Sequence, residues 1–187
     1  MADRTLNATA ASLLGFLHEG PMSGYELAST AQRAIGDFWS LTQSQVYREL
    51  AWMAEAGLVQ AGERGARDRK PYTLTDAGRA AFAEWIGRPP GPETIRHPLL
   101  LTVSFGRHVP PQRLAAFIRG HREAHAERLH AYEKQAAAEA ADPDAERDPF
   151  RAATLAFGIE YERAVMNWFN GLPESIREPA DETSGDR

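Results

Sequence analysis

The residues with the most legible chemistry lie between Thr42 and Lys70. Thr42, Gln43, Ser44, Tyr47 and Arg48 bring hydroxyl, amide, phenol and guanidinium groups into one short stretch. Such groups hydrogen-bond base edges and phosphates, and a helix N-terminus attracts phosphate by itself. Arg64, Arg67, Arg69 and Lys70 follow. With Asp68 the only anion from 64 to 70, four cations against one give a local charge of +3. Two further sets stand in the second half. His121 and His125 are four residues apart, a spacing that places both imidazoles on one helix face. Metal sites need a third and fourth ligand, and none is apparent, so no metal is expected. Tyr161, Val165, Trp168 and Phe169 form an apolar stripe. With the two histidines it reads as an effector pocket, a dimer interface or simple core packing. No phosphate loop, nucleophile elbow or carboxylate pair is present, so neither catalytic residues nor a cofactor are expected, and the chain does not read as an enzyme.

These groups need elements to hold them. Residues 6–18 carry Ala10, Leu13, Leu14 and Leu17 at helical spacing. Gly20-Pro21 ends that helix. Ser23-Gly24-Tyr25-Glu26 reads as a capping box opening a helix over about 24–34, and Thr42-Gln43-Ser44-Gln45 repeats the pattern. The helix from Thr42 runs to about Ala56 and stops at Gly57. Val46, Leu50 and Met53 share its inner face, which turns Ser44 and Arg48 outward with Gln43 and Tyr47 on the flank. On that flank Tyr47 reads either as a partly buried helix aromatic or as a phosphate or base contact. Phe38 and Trp39, in the connector before it, read as core plugs. Leu58–Ala61 and Tyr72–Leu74 are the convincing strands, joined as a hairpin by the cationic loop, with Pro71 expected at an edge. Thr75 caps a helix reaching Trp85 or Ile86.

Four prolines within 87–98 mark a linker. Beyond it, Leu99–Phe105 reads as a short helix and Pro110-Pro111 opens a long one. That helix carries Leu114, Ile118, His121, His125, Leu129 and Tyr132 and stops at Asp142-Pro143. Asp148-Pro149 opens the last helix. There Phe150, Thr154, Phe157, Tyr161, Val165 and Trp168 approximate a heptad seam, while Leu155, Ile159, Met166 and Phe169 add a second apolar strip. Two strips imply two packing partners, one of which can be a second subunit. The expected organisation is 1–88, a linker over 89–98, a helical domain over 99–173 and a mobile acidic tail over 174–187.

Composition agrees with a mainly α chain. The 187 residues include 32 Ala but only 5 Val and 6 Ile, which excludes a β-sandwich or a parallel α/β sheet. The absence of Cys excludes disulfides, thiolate metal sites and thiol redox sensing. The net charge of -5 speaks against nucleic acid when taken alone. Residues 1–95 hold 9 Lys/Arg and 11 Asp/Glu, so the first half is not basic either. Any contact with DNA must come from small local patches. The apolar run Ala10–Leu17 is too short for a bilayer, and with no membrane partner the expected location is the cytoplasm.

The order helix, helix, helix, hairpin, helix is that of a winged helix-turn-helix, with the helix from Thr42 in the reading position. The residues make this more specific. Ser23-Gly24-Tyr25-Glu26-Leu27, Phe38-Trp39, Ser44-Gln45-Val46-Tyr47-Arg48-Glu49-Leu50, Glu55-Ala56-Gly57-Leu58-Val59 and Arg69-Lys70-Pro71-Tyr72-Thr73-Leu74-Thr75-Asp76-Ala77-Gly78 together resemble the PadR family of transcriptional regulators over residues 10–86. The second half, through Pro98-Leu99-Leu100-Leu101, Phe105-Gly106, Leu155-Ala156-Phe157-Gly158-Ile159-Glu160 and Trp168, is similar to the AphA virulence-activator type. This match is looser. The resemblance implies an N-terminal winged helix-turn-helix with a two-strand wing and a C-terminal antiparallel helical dimerisation domain. It implies a homodimer binding a palindromic operator in double-stranded DNA, and commonly a repressor released by a small aromatic or drug-like effector. It places Gln43, Ser44, Tyr47 and Arg48 on the reading helix and Arg67, Arg69 and Lys70 in the wing. An activator, or a winged-helix adaptor or ligand-binding protein working through protein contacts, is the alternative.

Overall fold

The computed structural model describes residues 4–36, 38–63, 70–93, 95–141 and 148–179. The chain divides into two compact units, Met1–Glu93 and Thr94–Arg187.

In the first unit α1 (Ala8–Phe16) starts where the Asn7 side chain accepts from the Ala10 N–H, and a 3-10 turn (Leu17–Glu19) ends it. Gly20 then takes φ 141°, a conformation open to glycine, and turns the chain into β1 (Met22–Ser23). α2 (Gly24–Ile35) opens on the Ser23/Glu26 capping box, and α3 (Gln43–Glu55) on the Thr42/Gln45 box. α3 ends in a Schellman motif. Leu58 N–H donates to the Met53 carbonyl and Gly57 N–H to the Ala54 carbonyl, with Gly57 at φ 71°. β2 (Val59–Ala61) and β3 (Pro71–Leu74) form the hairpin, and α4 (Asp76–Ile86) follows the Thr75 cap. Leu13, Leu14, Leu27, Val46, Leu50 and Met53 are fully buried where α1, α2 and α3 meet.

Three expectations for this unit need correction. The sheet has three strands in the order β1-β3-β2, because Met22 and Ser23 pair antiparallel with Tyr72 and Pro71. Pro71 consequently sits in the central strand rather than at an edge. It is tolerated there as the strand's first residue, and its carbonyl still accepts from the Gly62 N–H. Phe38 and Trp39 are not core plugs, being 58% and 42% exposed. They border an open groove of about 380 Å³ with Phe16, Phe82, Trp85 and Ile86.

In the second unit α5 (Pro98–Ser104) begins on Pro98, a residue expected in the linker but favoured at a helix's first position. α6 (Pro111–Ala141) and α7 (Pro149–Gly171) are the long helices, the latter capped by Asp148. α8 (Glu174–Arg177) is helical where a mobile tail was expected. Its Ile176 packs on the core formed by Leu114, Ile118 and Phe169, and Arg177 Nε donates to the Leu172 carbonyl. Among the described residues no helix is long and apolar enough to cross a membrane.

Candidate nucleic-acid interface

α3 has two chemically distinct sides. Val46, Glu49, Leu50 and Met53 are buried, whereas Gln43, Ser44, Tyr47 and Arg48 are exposed. The 3.6-residue period forces this separation, and the packed inner side fixes where the outer groups point. Thr42 is exposed but occupied. Its Oγ1 accepts from the Gln45 N–H at 3.2 Å, and its own N–H donates to Gln45 Oε1 at 2.9 Å. The box therefore satisfies the third amide of the helix, while Gln43 and Ser44 carry the first two amides on the exposed end. Ser44 Oγ lies 3.1 Å from Thr42 Oγ1. Replacing Thr42 by alanine is expected to cost about 1 kcal/mol of unfolding free energy, read from urea denaturation; no change would mean the cap is dispensable.

Tyr47 lies against the start of α2. A Cβ built on Gly24 would come within 2.5 Å of Tyr47 Cε1, so a glycine at that position is what leaves room for the ring. Tyr47 as a whole remains 45% exposed.

Sequence reasoning missed the carboxylate beneath this surface. Glu49 is 1% exposed, and its Oε2 accepts from Arg4 Nη2 at 2.5 Å and from Asn7 Nδ2 at 3.4 Å. Arg48 Nε stands 3.6 Å from the other oxygen. The Arg4 guanidinium also sits 4.6 Å from the centre of the Trp52 ring. The only sequence signal was a charged residue falling on the apolar side of α3.

Of the wing residues, Arg64, Arg67 and Arg69 lie outside the described residues. Lys70 is exposed, with its ammonium 5.8 Å from the Tyr72 ring centre. The paired strands bring the chain to the loop and back, with Val59, Gln60 and Ala61 opposite Leu74, Thr73 and Tyr72.

The second unit separates residues that the sequence grouped. His121 is exposed on α6. His125 is mostly buried, with Nδ1 2.5 Å from Glu162 Oε2, while Arg128 Nε donates to Glu162 Oε1 at 2.9 Å. Among the described residues no group of three His, Asp or Glu side chains is arranged to hold a metal. Phe169 is 1% exposed and belongs to the core, with Val165 and Trp168 packed beside it, so it does not line an open pocket. Tyr161 faces outward and stacks on Phe157.

Residues 13–84 match the transcriptional regulator PadR-like family, and residues 95–172 match the virulence activator alpha C-terminal domain. Residues 13–84 are thus a PadR-like domain, followed by a domain of the virulence activator alpha C-terminal type. The crystal structure of Bacillus subtilis PadR in complex with operator DNA superimposes with a TM-score of 0.71 at 25% identity, covering 88% of this chain and 96% of that one. The sequence of that protein, a negative transcriptional regulator, is 35% identical over 98 residues, or 50% of this chain and 54% of the relative. A probable transcriptional regulator of Mycobacterium tuberculosis is 39% identical over 101 residues, 52% of this chain and 53% of the relative. The Vibrio cholerae virulence activator AphA gives a TM-score of 0.64 at 26% identity, covering 91% of this chain and 97% of that one. The PadR-like chain thus spans about half the length of the curated relatives it matches.

Proposed function

We propose that this PadR-like chain is a sequence-specific transcriptional regulator that binds a palindromic operator as a homodimer through α3 and the wing. The observation that carries the reading is the outer side of α3. Gln43, Ser44, Tyr47 and Arg48 project from a helix whose other side is locked into the core, so they meet a ligand without first having to be ordered. The B. subtilis relative solved with operator DNA supports the same use of the fold. A DNA-binding domain over 1–88 and a dimerising helical domain that starts with α5 fit this division of labour. Phe150 and Phe157 on α7 are 81% and 68% exposed, an apolar strip suited to a second copy. Two reading helices would then address successive major grooves about 34 Å apart. Repression in the cytoplasm, relieved by a small aromatic ligand, is the working mode. The p-coumaric acid complex of the B. subtilis protein makes phenolic acids the first ligands to try.

Gel retardation of the DNA flanking the chain's own gene tests the reading. A shift at low salt by a dimer supports it, and no shift by a confirmed dimer overturns it. Within that frame, Ser44→Ala and Arg48→Ala are expected to change the ranking of operator variants, with about 1–3 kcal/mol lost at the base pair each side chain reads. Equal losses on every sequence, measured by competition binding, would assign both side chains to the phosphate backbone instead.

A further inference from the structure

The Arg4–Glu49–Arg48 arrangement places two guanidinium groups around one buried carboxylate, and they are not equivalent. Arg4 makes a charge-assisted hydrogen bond to Oε2 at 2.5 Å and stacks on Trp52 at 4.6 Å. Asn7, which also caps α1, adds a weaker bond to the same oxygen. Arg48 stands 3.6 Å from Oε1, too far for a hydrogen bond, and its side chain is 65% exposed. A carboxylate with 1% exposure cannot be left without a counter-charge. One cation has to face inward, and the geometry gives that task to the residue in the segment before α1.

We propose that Arg4 is the resident counter-ion of Glu49 and thereby keeps Arg48 free for DNA. Arg4 is a positioning residue for the reading helix, acting from 45 residues away in sequence. The proposal rests on the reading of α3 as the DNA-facing helix. Without Arg4, the nearest cation to Glu49 is Arg48, which needs only to close the remaining gap to the carboxylate. Arg48 would then have to be pulled off Glu49 before it could meet a phosphate or base. Glu49 therefore acts on the interface in two ways. It anchors the first segment of the chain onto α3, and it competes with nucleic acid for any arginine within reach.

The test is a double-mutant cycle on the full chain, with wild type, Arg4→Ala, Glu49→Gln and the double variant titrated against one promoter fragment. Arg4→Ala is expected to weaken binding to that fragment roughly tenfold, the size of one lost arginine contact to a base edge. In the Glu49→Gln background the same change should alter affinity less than about twofold, because no anion remains to capture Arg48. Glu49→Gln alone should bind as well as wild type or better, and Arg4→Lys should restore affinity to Arg4→Ala. Equal losses from Arg4→Ala in both backgrounds would overturn the proposal in favour of a direct contact between Arg4 and DNA. A lowered melting temperature with unchanged affinity would overturn it in favour of a structural staple. Weaker binding by a folded Glu49→Gln would also overturn it. A wild-type chain that binds no DNA overturns the parent reading, whereas wild-type binding without an Arg4 effect overturns this proposal alone.

Discussion

Phe169→Ala is expected to lower the stability of the helical unit by about 4 kcal/mol, the middle of the range for an aromatic truncated in a core. Among the described residues of this unit few apolar side chains are fully buried, and Phe169 is the largest of them, at 1% exposure beside Leu114 and Ile118. Its neighbours come from more than one helix, with Ile118 on α6, Trp168 on α7 and Ile176 following Pro173, so no single helix can shift to fill the hole. The ring centre also lies 5.7 Å from that of His125, whose Nδ1 is paired with Glu162. Removing the ring opens a cavity next to a nearly buried ion cluster, so the loss exceeds the transfer term alone. Phe169→Leu keeps most of the volume and should cost about 1 kcal/mol. Chemical denaturation followed by circular dichroism reads both values. A loss below about 1 kcal/mol for the alanine variant would show that the helices re-pack and that Phe169 does not organise this core.

The elements around Phe169 and α3 differ in how far they could be read from sequence, and the difference is one of range. The capping boxes at Ser23/Glu26 and Thr42/Gln45 are decided within four residues, as is the glycine stop at Gly57, and all of them stand where their local chemistry puts them. The outward direction of Ser44 and Arg48, with Gln43 and Tyr47 on the flank, followed from periodicity alone, because a helix with one apolar side has no choice about the other. Glu49 was opaque for the opposite reason. Its burial depends on Arg4, 45 residues away, and nothing in the local sequence announces that partner. Glu162 is the same case, with His125 and Arg128 37 and 34 residues distant. β1 has two residues, too few for an alternating pattern, and exists because the turn at Gly20 brings Met22 and Ser23 beside Tyr72 and Pro71. Phe38 and Trp39 were misjudged from side-chain size. They lie in the short connector between α2 and α3, where they border an open groove instead of entering the core.

Replacing Arg67, Arg69 and Lys70 together by alanine is expected to have the largest effect on DNA binding, about two orders of magnitude at moderate salt and a salt slope lower by about 2.7 if each cation meets one phosphate. The reasoning starts from the chain's charge of -5. An acidic body gives no general attraction to a polyanion, so binding must rest on local cations, and the stretch from 64 to 70 concentrates four of them against one anion. The triple change takes that stretch from +3 to neutral and leaves the rest of the protein repelling the duplex. Because phosphates look alike on every sequence, the loss should be equal on operator and unrelated DNA, unlike the loss from Ser44 or Arg48. Anisotropy titrations at several salt concentrations on both DNAs separate these outcomes. An unchanged slope would remove the wing from the phosphate contacts. A loss confined to the operator would instead make the wing a reader of groove sequence or shape, and the burden of neutralising phosphates would fall on α3 and its single outward arginine.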